Sequence, residues 1–405
     1  MAEQVQAPGP AGAPPRVIAE AEGARPGPTL VVVAGLHGNE PAGVTAAERV
    51  IGRLGRGLYP FRGRIVALAG NRAALARGVR HLATDLNRQW VPDRIIPVLH
   101  RPAGADEDPE DAELRELHGA LCATMSGGRG PCFFVDLHTS SAEGAPFLVV
   151  GDTLPNRRFA AGLPVPAILG LEEQLDGSLL EYLSELGFVT LGVEVGPHDD
   201  PQAVHVLESA LWLALASAGL VTELEVPGLV IHRRRLRRAT RKLPRWVEVR
   251  YRHAISPGDR FEMAPGFRTF DEVRAGQVLG RDRNGEVVAP EDGRVLLPLY
   301  QGQGEDGFFL GRDLPEGRLR RVALLRRLRL ERLLPLLPGV RRLGPGRLHV
   351  APEALERVPV DWFHLLGYRK WRAAPEGGHV VSRRTHLLRA PRSCACAGAR
   401  GPGKG

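Results

Sequence analysis

His37 and Glu40 stand three positions apart in Gly35-Leu36-His37-Gly38-Asn39-Glu40. That spacing lets one imidazole and one carboxylate hold the same zinc ion while a third ligand arrives from elsewhere in the chain. The best third ligand is His138, in Val135-Asp136-Leu137-His138-Thr139-Ser140. Two His and one Glu with an open fourth position form the ligand set of a hydrolytic zinc site. An H-x-x-E pair alone is a weak signal, and a His after a strand is more often an ordinary hydrogen-bonded loop residue. The metal reading gains weight because further parts of such a site follow in order.

Glu194 lies in the apolar run Gly192-Val193-Glu194-Val195, closed by Gly196-Pro197-His198. A buried carboxylate is costly unless it is paired or functional. This one is placed to act as a general base on metal-bound water, the alternative being a core Glu paired with an Arg. Asn87 and Arg88 offer amide donors beside a planar guanidinium fork, which suits a carboxylate. An isolated Asn-Arg pair also fits a turn with a surface Arg. Arg80, a few residues earlier, could reach the same cleft.

These groups need a scaffold. Leu30-Val31-Val32-Val33-Ala34 is short, β-branched and closed by Gly, and reads as a buried parallel strand followed by a helix from Pro41 to about Leu54. Catalytic groups of open α/β sheets gather at the carboxyl ends of such strands. Further strands are expected at Gly63–Leu68, Cys132–Val135, Phe147–Val150 and Phe188–Glu194. Asn71 is a helix N-cap, 101–112 is an exposed loop, and helices are expected over Glu113–Met125 and Val204–Leu220. This alternation predicts an α/β domain with a largely parallel sheet over 29–222. From about 225 short strands and turns take over, including Trp246–Tyr251, Val278–Gly280, Val287–Pro290 and Gly293–Pro298, which predicts a small all-β unit over 223–314.

The remaining segments are a lead-in, 1–28, read as disordered, and an Arg-rich extension, 315–405, with no assigned role, its last dozen or so residues read as disordered. At 405 residues roughly two or three domains are expected. A hydrophobic content of 43% beside 25% charged residues is ordinary for a soluble globular protein. No run approaches the ~18 apolar residues of a membrane span, and the N-terminus lacks the basic start and apolar core of a secretory signal. Four cysteines, Cys122, Cys132, Cys394 and Cys396, are too few for a disulfide scaffold, so a cytoplasmic location is expected. The net charge of +8 is concentrated in Arg blocks at 233–245 and 318–347. These read as solvated faces rather than a nucleic-acid surface, since no zinc knuckle or aromatic platform accompanies them.

Taken together, His37-Gly38-Asn39-Glu40, Asp85-Leu86-Asn87-Arg88, Asp136-Leu137-His138-Thr139 and Glu194-Val195-Gly196-Pro197 resemble, in order and approximate spacing, the succinylglutamate desuccinylase/aspartoacylase family over about residues 29–311. These are zinc-dependent deacylases related to the zinc carboxypeptidases. The resemblance implies a three-layer α/β/α domain with a mixed sheet, followed by a small β domain. It implies one Zn2+ on His37, Glu40 and His138, and Glu194 as general base. Arg80 would polarise the scissile carbonyl, and Asn87 with Arg88 would grip a substrate carboxylate. Tyr300, beside a stretch similar to the family's C-terminal signature (Gly304 to Phe309), would reach the cleft from the β domain. The implied reaction is hydrolysis of the amide bond of an N-acyl amino acid or related small amide.

One position departs from the pattern. The aspartoacylase branch has an Arg about ten residues before the general base, where this chain has Ser184, and that disfavours N-acetylaspartate as substrate. Two other readings compete: a carboxypeptidase-like peptidase with a wider cleft, and a metal-free binding protein that meets acidic partners through the Arg-rich extension.

Overall fold

The run Leu30–Ala34 has no polar side, and it is buried on both. Leu30, Val32 and Ala34 enter one core while Val31 and Val33 enter another, as the alternation of a strand requires. The computed structural model describes residues 12–102, 104, 107–127 and 130–383. The first strands are β1 (Val17–Glu22), β2 (Arg25–Ala34), β3 (Arg62–Ala69), β4 (Cys132–Ser140), β5 (Phe147–Val150), β6 (Ala167–Leu169) and β7 (Val189–Pro197). Next come β8 (Trp246–Ala254), β9 (Glu262–Met263), β10 (Glu272–Val273), β11 (Val278–Asp282), β12 (Gly285–Val288), β13 (Gly293–Leu296) and β14 (Asp306–Asp313). The last four are β15 (Val340–Gly344), β16 (Arg347–Val350), β17 (Tyr368–Ala373) and β18 (His379–Arg383).

Among the described residues one sheet has eleven strands, ordered β1-β3-β2-β4-β7-β5-β6-β8-β14-β13-β10. Its centre is parallel, β3-β2-β4-β7, and β5 joins β7 antiparallel, so the sheet is mixed. Helices Ala42–Gly55 and Ala203–Ser217 cover one face, and helices Pro92–His100, Pro109–Ser126 and Leu179–Glu185 cover the other. This is the expected three-layer α/β/α arrangement.

Four local differences from the sequence reading have physical causes. Val17–Glu22, expected within a disordered lead-in, is an edge strand paired antiparallel to β3. Arg16 anchors its start, donating to the carbonyl of Ala69 at 2.6 Å and to Glu113. Residues 1–11 and 384–405, the latter including Cys394 and Cys396, lie outside the described residues. The expected loop 101–112 already contains a helix start at Pro109, because Asp108 caps it and Glu110 turns inward. There the Glu110 carboxylate accepts the backbone N–H groups of Leu82, Ala83 and Thr84.

The second β unit does not stand apart as a sheet of its own. Strand β8 adds parallel to the edge strand β6, and β14, β13 and β10 continue the same sheet, with only β9, β11 and β12 forming a separate one. A bare sheet edge invites pairing, and β8 supplies it.

The Arg-rich extension also folds. A helix, Glu316–Arg327, leads to the four-stranded sheet β15-β16-β18-β17, which packs on its own core around Leu348, Val350, Phe363 and Val381. Its arginines are not all solvated: Arg369 is 7% exposed, and the side chain of Arg326 is 8% exposed.

Candidate metal centre and cleft

His37 and Glu40 leave the end of β2 in a tight loop that leads into helix Ala42–Gly55. Gly38 makes the loop fit: a Cβ there would lie 2.1 Å from the backbone carbon of Ala74. Its N–H donates to the carbonyl of Arg80 at 3.1 Å, which draws the Arg80 segment to the loop. His138 occupies the carboxyl end of β4, the central neighbour of β2. It pairs in parallel register with Glu194 on β7, so the two side chains stand beside each other on one face.

Glu40 is the hub. Its Oε1 is 2.8 Å from Nδ1 of His37, and its Oε2 is 3.0 Å from Nδ1 of His138. One donor atom from each of the three residues lies within 4.8 Å of those of the other two, and all three residues are buried. The outer nitrogen of each imidazole is held by an aspartate. Nε2 of His37 is 3.2 Å from Asp85, and Nε2 of His138 is 2.8 Å from Asp136. Such carboxylate–histidine pairs fix the ring and leave the other nitrogen for an ion.

The donor set therefore fits a divalent cation of the zinc type. Burial opposes charge on Glu40, but His37 and His138 outweigh it and hold the carboxyl well below its ordinary range. Burial likewise opposes the charge on His138, and Asp136 with Glu40 overrides it, raising its pKa well above the usual value.

Glu194 behaves in the opposite way. Burial pushes its carboxyl up to about 8, with His138 and Arg80 opposing and Glu40 and Asp136 adding to the rise. A carboxylate poised near neutrality beside a candidate metal centre is placed to exchange protons.

Arg80 reaches the cleft clasped to Asp85, with Nη2 at 2.8 Å and Nε at 3.2 Å from the same oxygen. Asp85 thus ties Arg80 to His37, and it also caps the turn through the N–H of Asn87 at 2.9 Å. The Oδ1 of Asn87 accepts the N–H of Leu179 at 2.9 Å. Arg88 donates to the carbonyl of Asn87 at 3.0 Å and to Asp306 at 3.3 Å.

The structure brings together His37, Glu40, His138, Glu194, Arg80, Asn87 and Arg88 around a cleft of about 150 Å³. Tyr300 does not join them. Its hydroxyl donates to the carbonyl of Ala264 at 2.8 Å and accepts the N–H of Phe267 at 3.0 Å. That backbone anchorage within the second β unit turns it from the cleft, and its neighbour Gln301 lines the wall instead. Ser184 is buried in helix Leu179–Glu185 and is likewise absent from the wall.

Sequence reasoning gave no role to Asp85, Asp136, His198, Gln301, Glu305 or Asp306. For Asp136 a signal existed, since residues i and i+2 of a strand share a face. His198 contacts the hydroxyl of Thr139 at 2.6 Å and Gln301 at 3.3 Å, a link between distant segments that spacing could not reveal.

Residues 26–209 match the sequence model of the succinylglutamate desuccinylase/aspartoacylase catalytic domain. The match spans less than half of the chain. A stretch of 113 residues is 32% identical to the succinylglutamate desuccinylase of Burkholderia thailandensis, covering 28% of this chain and 31% of that protein. The corresponding enzyme of Pseudomonas fluorescens is 39% identical over 114 residues, again 28% of this chain and 31% of that protein. The chain thus spans about 31% of the length of these curated relatives.

In overall shape the chain is similar to the crystal structure of a succinylglutamate desuccinylase/aspartoacylase from Rhodobacter sphaeroides. The TM-score is 0.54 at 18% identity, with 73% of this chain and 88% of that one covered. That likeness establishes the fold. Among the described residues no helix is long and apolar enough to cross a membrane.

Proposed function

We propose that this chain is a cytoplasmic zinc-dependent hydrolase that holds one Zn2+ and cleaves the amide bond of an N-acyl amino acid or related small amide. The observation that carries the reading is the convergence of His37, Glu40 and His138, with Glu194 beside His138 at the same sheet edge. The family supports it, since the curated relatives are named as desuccinylases.

His37, Glu40 and His138 would hold the ion, with Asp85 and Asp136 orienting the two rings. Bound there, zinc would lower the pKa of a water molecule towards ~7 and polarise a carbonyl oxygen. Glu194 accepts the proton of the attacking water and passes it to the departing nitrogen. A positive charge at the cluster favours the ionised form of Glu194 that accepts this proton. Arg80, kept in place by Asp85, faces the negative charge that develops on the carbonyl oxygen. Asn87, whose side-chain oxygen is taken by Leu179, keeps its amide nitrogen as a donor for the bound amide. The products are a carboxylate and a free amine.

The test is metal content of the purified protein, followed by amine release from a panel of N-acyl compounds with and without chelator. Stoichiometric zinc and chelator-sensitive release are expected. Full release after complete removal of metal would overturn the proposal.

A further inference from the structure

Helix Leu154–Ala161 meets the Arg-rich extension across a cavity of about 840 Å³. Among the described residues seven arginines line it, against two acids, Asp152 and Glu331. Both acids are already engaged. Asp152 takes Arg326 at 2.8 Å, with Arg157 and Arg369 besides, and Glu331 takes Arg383 at 3.0 Å. That leaves Arg158, Arg327, Arg329, Arg332 and Arg342, all exposed. Among the described residues none of these five side chains has an ion pair or hydrogen bond. Arg158 comes from helix Leu154–Ala161, and Arg327 ends helix Glu316–Arg327. Arg329 and Arg332 flank the start of the short helix Leu330–Leu336, and Arg342 lies on β15.

Five like charges around one cavity repel one another, and no free carboxylate among the described lining residues offsets them. Each guanidinium is a planar fork that matches two phosphate oxygens at a time. Arg329 is held at φ 57, a left-handed conformation that an arginine rarely adopts, and its side chain faces this cavity. The cavity has the size of a small-molecule site. Its one aromatic residue among those described is Tyr368, which is 4% exposed, so it presents no ring on which a base could stack. That favours a compact polyphosphate over single-stranded nucleic acid.

We infer that this cavity is a binding site for a small polyphosphate anion, gripped by Arg158 from one side and by Arg327, Arg329, Arg332 and Arg342 from the other. The bound anion joins helix Leu154–Ala161 to the extension. The site shares no described lining residue with the cleft at the metal centre, and it does not rest on the amide-hydrolase reading. Nucleoside triphosphates and inorganic tripolyphosphate carry the same phosphate chain, and their affinities separate the two sources.

The experiment is calorimetric titration of the full chain with tripolyphosphate, ATP and orthophosphate at one ionic strength. Tripolyphosphate should bind saturably, at about one per chain and about tenfold or more tighter than orthophosphate. ATP binding tighter than tripolyphosphate would assign the site to a nucleotide, and ATP binding no tighter would assign it to the phosphate chain alone; either supports the inference. Arg327→Glu combined with Arg332→Glu should weaken tripolyphosphate binding by about tenfold or more. Arg237→Glu combined with Arg238→Glu makes the same charge change at exposed positions of helix Leu229–Ala239, outside the cavity, and should leave the affinity within about twofold. An equal loss in both pairs would reveal a general charge effect and overturn the inference. Absence of saturable binding would overturn it too, as would a single-stranded oligouridylate that binds more tightly than tripolyphosphate. If the Arg327 and Arg332 pair fails to fold, Arg342→Glu carries the same expectation, and the wild-type titrations decide without any variant.

Discussion

The carboxylate of Asp152, in the turn after β5, lies 2.8 Å from Nη2 of Arg326, which belongs to the Arg-rich extension. Arg369 of β17 reaches the same carboxylate, and Arg157 of helix Leu154–Ala161 donates to it at 2.7 Å. Arg369 also donates to Glu248 of β8 at 2.7 Å. The extension is thus fastened to the turn after β5 by a buried acid that several arginines share. Removing one partner of such a cluster strands the others without compensation. Asp152→Ala should therefore lower unfolding stability by about 3–5 kcal/mol and expose the Glu316–Arg327 helix to protease. A variant with the wild-type urea midpoint and an uncut extension would remove Asp152 from this role.

The same cluster sets an acid limit. Burial opposes the charge of Asp152, but Arg157, Arg326 and Arg369 outweigh it and hold its carboxyl well below the ordinary range. Glu248 is depressed in the same direction, burial again being outweighed, here by His364 and Arg369. A depressed carboxylate contributes stability that is complete above its unfolded value of about 4 and is lost as pH falls through the folded value. Melting temperature should hold from about pH 7 to 5 and fall steeply below about pH 4, with a shallower fall in Asp152→Asn. Parallel curves for the two proteins would show that the acid sensitivity arises elsewhere.

Glu194→Gln keeps the shape of the side chain and removes its ability to accept a proton. Turnover should drop by about 10²–10⁴-fold while zinc content and melting temperature stay near wild type. If hydrolysis continues at the wild-type rate, another group is the base.

His37→Ala takes away one of three ligands and leaves Glu40 facing His138 alone. Zinc measured after dialysis should fall from one per chain to a small fraction, and activity with it. Full occupancy in the variant would sink the ligand assignment.

Tyr300→Phe removes a hydroxyl that bridges Ala264 and Phe267 within the second β unit. The expected result is a stability loss of about 1 kcal/mol with kcat/KM unchanged. A large fall in kcat/KM without loss of stability would return Tyr300 to the cleft.

Read alone, the sequence determined the parts whose signal is local. Leu30–Ala34 could only be a strand buried on both faces, Asn71 is the helix N-cap its neighbours required, accepting the N–H of Ala74 at 3.0 Å, and His37 and Glu40 were bound to sit together because three residues separate them in a tight loop. Asp136 shares a strand face with His138 for the same local reason. Contacts between distant segments carry no such signal. Asp85 meets His37 across 48 positions, Asp306 meets Arg88 across 218, and Asp152 meets Arg326 across 174. Nothing in the residue types specifies which charged group answers which, because an Arg can pair with any carboxylate that packing brings within reach. The tertiary structure made those choices. It added β8 and β14 to the edge of the first sheet, set Asp306 over Arg88, turned Tyr300 away, and buried arginines that composition alone would have left in water.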